Sequence, residues 1–229
     1  MRTREADRPL YRIGRKPDPL AWPDWLRSAS DRTFGNRWDD PRGSYRVIYA
    51  SSSLLGAFVE VLARYRPDPH VASELARIRG LGSALPPGCI DRSWCRTRLI
   101  GAATVSGIFA DVGHSESLAE LQRALAGRLR HYGIRELDGA AIRLGAPRRL
   151  TQEISRYVYE RTTPRGTRAF DGITYLSRLG DEFRNWALFE PAGASRQRRV
   201  IRRVRVSPID VDHPEFRHSL ELLGIRLVE

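Results

Sequence analysis

The densest run of β-branched and aromatic residues, Tyr45–Ala50 (YRVIYA), predicts a strand. The period then changes. Leu54, Leu55, Phe58, Val61 and Leu62 recur at i, i+3 and i+4, the buried stripe of a helix that Ser51, Ser52 or Ser53 would cap and Pro67 would stop. A second helix is expected from Ser117, where Ser117 and Glu120 form a capping box, with Leu118, Leu121, Leu125 and Leu129 inward and Gly133 at its end. A third covers roughly Leu150–Glu160, with Leu150, Ile154 and Val158 on one side. Strands are expected near residues 172–177, 185–190 and 200–206, with one or two more within 96–112. Pro86–Pro87–Gly88 and Pro164–Arg165–Gly166 read as surface loops, and residues 15–45 as a long, partly ordered approach to the first strong strand.

Helices and strands interleave without a repeating βαβ unit or a glycine-rich phosphate loop, which argues against Rossmann and P-loop folds and for a mixed α+β domain. No internal repeat or linker divides the 229 residues, a length that suits one well-packed domain. No apolar stretch approaches the roughly 20 residues that span a bilayer. The first residues lack the apolar core of a secretory signal, so a cytoplasmic location is expected. Cys89 and Cys95 have no histidine at ligand spacing and read as ordinary thiols.

The net charge of +12 is almost wholly arginine, because Lys16 is the only lysine. Arginine's planar fork suits phosphate, so the charge admits a nucleic acid, an acidic protein or a phosphate-bearing small molecule as partner. The strongest basic cluster, SRQRRVIRRVRV at 195–206, fits a nucleic-acid or acidic-protein surface, or a solvated outer strand face.

Candidate chemistry is sparse. Glu60 lies one turn after Gly56 and one turn before Arg64, off the apolar stripe. Glycine there would leave open space beside the carboxylate for a ligand; the alternative is a solvated ion pair with Arg64. Arg12 and Arg37 stand in segments that look structured and suit a pyrophosphate clamp, or are surface arginines among many. Tyr49 ends a buried strand, as core or as stacking platform, and Ser177 ends another without a Ser–His–Asp constellation. His213 and His218, five apart, fall on different faces of a helix, so metal binding gains little support.

Five segments in order resemble the RES family, named for an arginine, a glutamate and a serine. LYRIGR resembles its opening strand, with Arg12. FGNRWDDPRGSYRVIYAS resembles its arginine segment and following strand, with Arg37 and Tyr49. SSSLLGAFVEVL resembles the glutamate helix, with Glu60, and RRLTQEISRYVYE the helix before the last motif. FDGITYLSRLGDEFRNWALFE resembles the "DGI-Y-S … NWALF" signature, with Ser177. The matches run from about residue 10 to 190; residues 66–145 are longer than in compact members, and 191–229 form an arginine-rich extension to a single domain.

The resemblance implies an ADP-ribosyltransferase-like split mixed β-sheet core with surrounding helices, and a toxin-type enzyme that cleaves the nicotinamide–ribose bond of NAD⁺ by hydrolysis or phosphorolysis. It implies Glu60, Arg37 and Ser177 as catalytic residues, with Arg12, Tyr49, Arg37 and Ser177 binding NAD⁺. NAD⁺ is then substrate, with no further cofactor or metal; the expected partner is a helix-turn-helix (Xre-type) antitoxin, with a homo-oligomer possible in principle. A protein ADP-ribosyltransferase on the same scaffold and a non-enzymatic arginine-rich nucleic-acid-binding protein are the competing readings.

Overall fold

In the computed structural model, which describes residues 1–6, 9–68, 85–190 and 200–229, one mixed sheet runs through the molecule. Its strands are β1 (Thr3–Arg4), β2 (Leu10–Arg15), β3 (Val47–Ser51), β5 (Arg98–Val105), β6 (Phe109–Asp111), β7 (Gly172–Leu176), β8 (Arg184–Phe189) and β9 (Ile201–Pro208). A separate parallel pair joins β4 (Cys89–Asp91) to β10 (Arg226–Val228). The order is β1-β6-β7-β8-β3-β2-β5-β9, parallel only between β6 and β7. The helices are α1 (Leu54–Leu62), α2 (Ser93–Arg96), α3 (Ser115–Ala124), α4 (Ala126–His131), α5 (Gly139–Leu144), α6 (Arg148–Glu160) and α7 (Pro214–Leu223). None of the described helices is long and apolar enough to cross a membrane.

The expected split lies between β2 and β3. A single pair, Tyr11 with Ser51, holds register there, whereas six pairs join β2 to β5 and five join β3 to β8. Strands β7 and β8 are covered on both faces. On one, Val47, Ile173, Ala187 and Phe189 meet Leu121, Leu129, Ile142, Leu150, Ile154 and Val158 of the helices. On the other, Ile48, Trp186 and Leu188 pack with Leu10, Val105 and Phe109. A third cluster unites Ile13 and Ile100 with Phe58 and Leu62 of α1 and Phe216, Leu220 and Leu223 of α7.

Several boundaries differ from the sequence reading. Helix α1 ends at Leu62 and tightens into a 3₁₀ turn over Ala63–Tyr65, before Pro67 is reached. Its buried face carries Gly56, Ala57, Phe58, Val59 and Leu62, while Leu54, Leu55 and Val61 are half-buried at its margins. Helix α3 begins two residues early, capped by His114, whose Nδ1 accepts from the Glu116 N–H at 3.3 Å. Ser117 is instead fully buried and accepts from the Arg2 N–H at 3.0 Å, fixing the N-terminal strand. Helices α2, α5 and α7 and strands β4 and β10 are too short or too weakly patterned to have been read. Part of the elaborated middle, 69–84, and residues 191–199 of the basic region lie outside the described residues.

Residues 200–229 are built into the fold: β9 adds to β5, and α7 packs against α1. Phe216, with no exposed surface, meets Phe58 edge-on at 5.3 Å and stacks on Trp94 at 6.0 Å. Phe216→Ala should therefore cost about 3–5 kcal/mol of stability by transfer and cavity terms, read as a fall in urea midpoint with unchanged slope. A cost under about 1 kcal/mol would mean that α7 is not part of the cooperative core.

Candidate active site

Side chains alternate between the faces of a strand, and directly opposed residues share a face. The register sets Ser51 of β3 opposite Asn185 of β8, and Asn185 opposite Tyr175 of β7. The next row on that face holds Tyr49, Ala187 and Ile173. Ser177 follows Tyr175 by two, and its N–H donates to the Phe183 carbonyl at 2.8 Å, so the hairpin continues past the strand.

Helix α1 comes down at the end of these rows. Its N-cap is Ser53, whose hydroxyl accepts from the Gly56 N–H at 3.0 Å. The space beside Gly56 is filled, contrary to expectation: a Cβ there would lie 2.5 Å from Ser51 Oγ, 2.9 Å from Ser53 Oγ and 3.2 Å from Phe183 Cδ1. Glycine at this position serves close approach of helix to strand.

That approach delivers Glu60. Its Oε1 accepts from Ser177 Oγ at 2.6 Å and from Asn185 Nδ2 at 2.6 Å, although the residue as a whole is exposed. Ser177 Oγ in turn accepts from the Leu179 N–H at 2.9 Å, and the serine is 1% exposed. Among the described residues Glu60 makes no ion pair with Arg64, whose guanidinium lies over Tyr65. The geometry thus gives Ser177 a hydroxyl already engaged with Glu60, rather than one open to a ligand.

Tyr175 is buried beneath this carboxylate, and burial, then the negative charge of Glu60, raises its phenol pKa; Arg37 opposes the shift. The Arg37 guanidinium carbon stands 5.5 Å from the Tyr175 ring centre. Gly145 caps α5 in the left-handed region, φ 61°, and a Cβ there would come within 2.6 Å of Arg37 Nε. The left-handed backbone favours glycine at this position, and its bare Cα leaves the Arg37 side chain undisturbed.

The segment that carries Arg37 is pinned from below. Trp38 is fully buried, its N–H donates to Tyr49 Oη at 2.9 Å, and its carbonyl accepts from Ser155 Oγ. Tyr49 Oη donates to Asp39 Oδ1 at 2.8 Å, and Asp39 Oδ2 accepts from Asn36 N and Nδ2, both at 2.8 Å. The Tyr49 hydroxyl is therefore a support of the Arg37 segment. Arg12, on β2, is half-buried; its Nη1 is enclosed without a partner, and burial lowers its pKa against the opposing pull of Tyr49 and Asp18.

Glu60 and Ser177 are thus joined to Asn185, which faces Tyr175 and with it Arg37, while Tyr49 supports the Arg37 segment from below. Arg12 stands across the β2–β3 seam from Tyr49 without a direct contact to the others among the described residues. Sequence reasoning did not single out Asn185, Tyr175 or Asp39. The first two stand inside the quoted DGITYLS and NWALF segments, where strand alternation from Ser177 and from Ala187 would have put them on the same face. His213 caps α7 and His218 faces Glu221, and no group of three His, Cys, Asp or Glu side chains gathers among the described residues. Cys89 and Cys95 are buried and unbonded.

A model of the RES domain matches residues 9–212. No curated protein matches the chain. Among solved structures, a chain of the M. tuberculosis MbcT–MbcA toxin–antitoxin complex is similar, with 15% identity and a TM-score of 0.50, over 97% of this chain and 92% of that one. At that identity the likeness is one of fold.

Burial raises the Asp39 pKa above the ordinary carboxyl value, outweighing the hydrogen bonds from Tyr49 and Asn36 that lower it. The folded state therefore holds the Asp39 proton more tightly, and its contribution to stability falls as pH rises from about 4 through the raised pKa. The stability of the wild type relative to Asp39→Asn should be most favourable near pH ~4 and decline toward ~7. Urea melts across this range test it; a gap that grows with pH contradicts the sign.

Proposed function

The chain belongs to the RES-domain family, and from that premise we propose that it is a toxin-type enzyme that breaks the nicotinamide–ribose bond of NAD⁺. One observation carries the reading: an exposed carboxylate, Glu60, is held by two 2.6 Å hydrogen bonds on one oxygen, above a buried tyrosine, Tyr175, that also meets the Arg37 guanidinium. As the bond breaks, its electron pair passes to the nicotinamide nitrogen and neutralises the pyridinium, so the leaving group needs no acid. Positive charge builds on the ribose, as in glycoside cleavage. A fixed carboxylate beside it stabilises that charge and can orient the incoming nucleophile: water, whose proton passes to the carboxylate or to solvent as the new bond forms, or an unprotonated phosphate oxygen.

Arg37 and Arg12 suit the pyrophosphate. An enclosed guanidinium nitrogen without a partner is unfavourable in the free protein and becomes favourable when an anion reaches it. Ser177 supports Glu60, and Tyr49 supports the Arg37 segment. An antitoxin partner of Xre type, in the cytoplasm where NAD⁺ is abundant, completes the reading, and its support is that the similar fold occurs in a toxin–antitoxin complex.

The test is to incubate the purified chain with NAD⁺, with and without phosphate, and follow nicotinamide and the sugar product. Release only with phosphate, giving ADP-ribose-1″-phosphate, identifies a phosphorylase; release without it, giving ADP-ribose, a glycohydrolase. Absence of release from folded protein would overturn the proposal, and label retained on a macromolecule would favour transfer. Glu60→Gln should slow NAD⁺ loss by at least about 100-fold while the fold persists. Arg12→Met should raise KM without lowering Tm, because it removes an enclosed, incompletely paired charge and keeps the volume. A marked loss of Tm with unchanged KM would make Arg12 a structural residue.

A further inference from the structure

The two oxygens of Glu60 have unequal surroundings. Oε1 receives both short hydrogen bonds, from Ser177 Oγ and Asn185 Nδ2, each 2.6 Å. Oε2 has no hydrogen-bond partner among the described residues. Asn185 is 3% exposed and sits mid-sheet between Ser51 and Tyr175, with its backbone carbonyl accepting from Thr174 Oγ1 at 3.0 Å. The other end of its amide, Oδ1, is buried and unpaired.

That asymmetry fixes which way the amide faces. Turned over, it would set Oδ1 against Oε1, two acceptors at hydrogen-bond distance. As it stands, the fold leaves a buried carbonyl unsatisfied, which is unfavourable, and gains an N–H donor on a carboxylate. We infer that Asn185 is a positioning residue for Glu60. With Ser177 it anchors Oε1, fixes the rotamer of a side chain that is otherwise exposed, and leaves Oε2 as the oxygen that faces the reacting sugar. The catalytic meaning rests on the NAD⁺-cleaving reading above; the anchoring is a property of the free protein.

Two measurements on the full chain separate these levels. In NAD⁺ turnover, Asn185→Ala should lower kcat by about 10- to 100-fold, the scale of one hydrogen bond to a charged group, with KM little changed. Asn185→Asp should fall at least as far, although it keeps the volume, because it places a carboxylate where a donor stood. A residue that only fills space would tolerate Asp better than Ala, so that order, or a kcat equal to wild type in Asn185→Ala, overturns the inference.

The second measurement needs no activity. In ¹H–¹⁵N spectra the Asn185 side-chain amide, assigned by its loss in Asn185→Asp, should have one proton displaced downfield, and Glu60→Gln should move it toward ordinary asparagine positions. An amide signal indifferent to Glu60→Gln overturns the anchoring. A responsive amide in a protein that does not consume NAD⁺ would uphold the anchoring and refute the reaction.

Discussion

Two hydrogen bonds to one oxygen of Glu60 tie helix α1 to strands β7 and β8, and most of the surrounding structure serves to keep that oxygen where it is. A glutamate on an exposed helix face samples several rotamers, and fixing it costs side-chain entropy. Donors that converge on Oε1 recover this only if helix and strands keep their spacing. Gly56 permits the spacing, since any side chain there would strike Ser51 and Ser53. Phe58 and Leu62, on the opposite side of α1, hold it against Phe216 and Leu220 of α7. The C-terminal helix thus bears on the carboxylate without touching it.

The second constraint is the narrow seam between β2 and β3. With one register pair across it, the sheet alone would hold its halves weakly. Helix α1 follows directly from β3 and packs on Ile13 of β2, bridging both sides. Arg12 lies on one side of the seam and Tyr49 on the other, so an anion that drew in the enclosed guanidinium would do so where the sheet is least reinforced by its own hydrogen bonds. An anion bound there would link its binding to sheet closure by position.

Much of this was legible from periodicity. Leu150, Ile154 and Val158 are all buried, as a helical stripe requires, and the β7 and β8 strands fall within a residue of where their apolar runs put them. Short elements were not legible, because α2 and β4 contain too few residues to show a period, and their burial is decided by distant partners such as Phe216. Ser117 shows a local rule overridden: a Ser–x–x–Glu pattern reads as a cap, yet tertiary packing uses the serine to receive the Arg2 N–H. At the site, the glutamate and serine were legible through family resemblance. Their partner Asn185 was not, because an asparagine inside an apolar strand has no periodic signature, and its meaning depends on a contact 125 residues away.

Arginine shows most clearly what a sequence withholds. In a chain of net charge +12, no composition argument separates a functional guanidinium from a solubilising one. Environment does. In β9, an edge strand exposed almost throughout, Arg203 takes a positive φ of 47° where the pairing with β5 shifts register. Charges and a bulge on an edge strand discourage pairing with other chains, so these residues answer to the edge and need no ligand to explain them. Arg37 lies beside an aromatic ring and close to the left-handed Gly145, and Arg12 keeps a donor enclosed and unpaired. Burying a guanidinium nitrogen without a hydrogen-bond partner is unfavourable in itself, and that is an arrangement that an anionic ligand would complete.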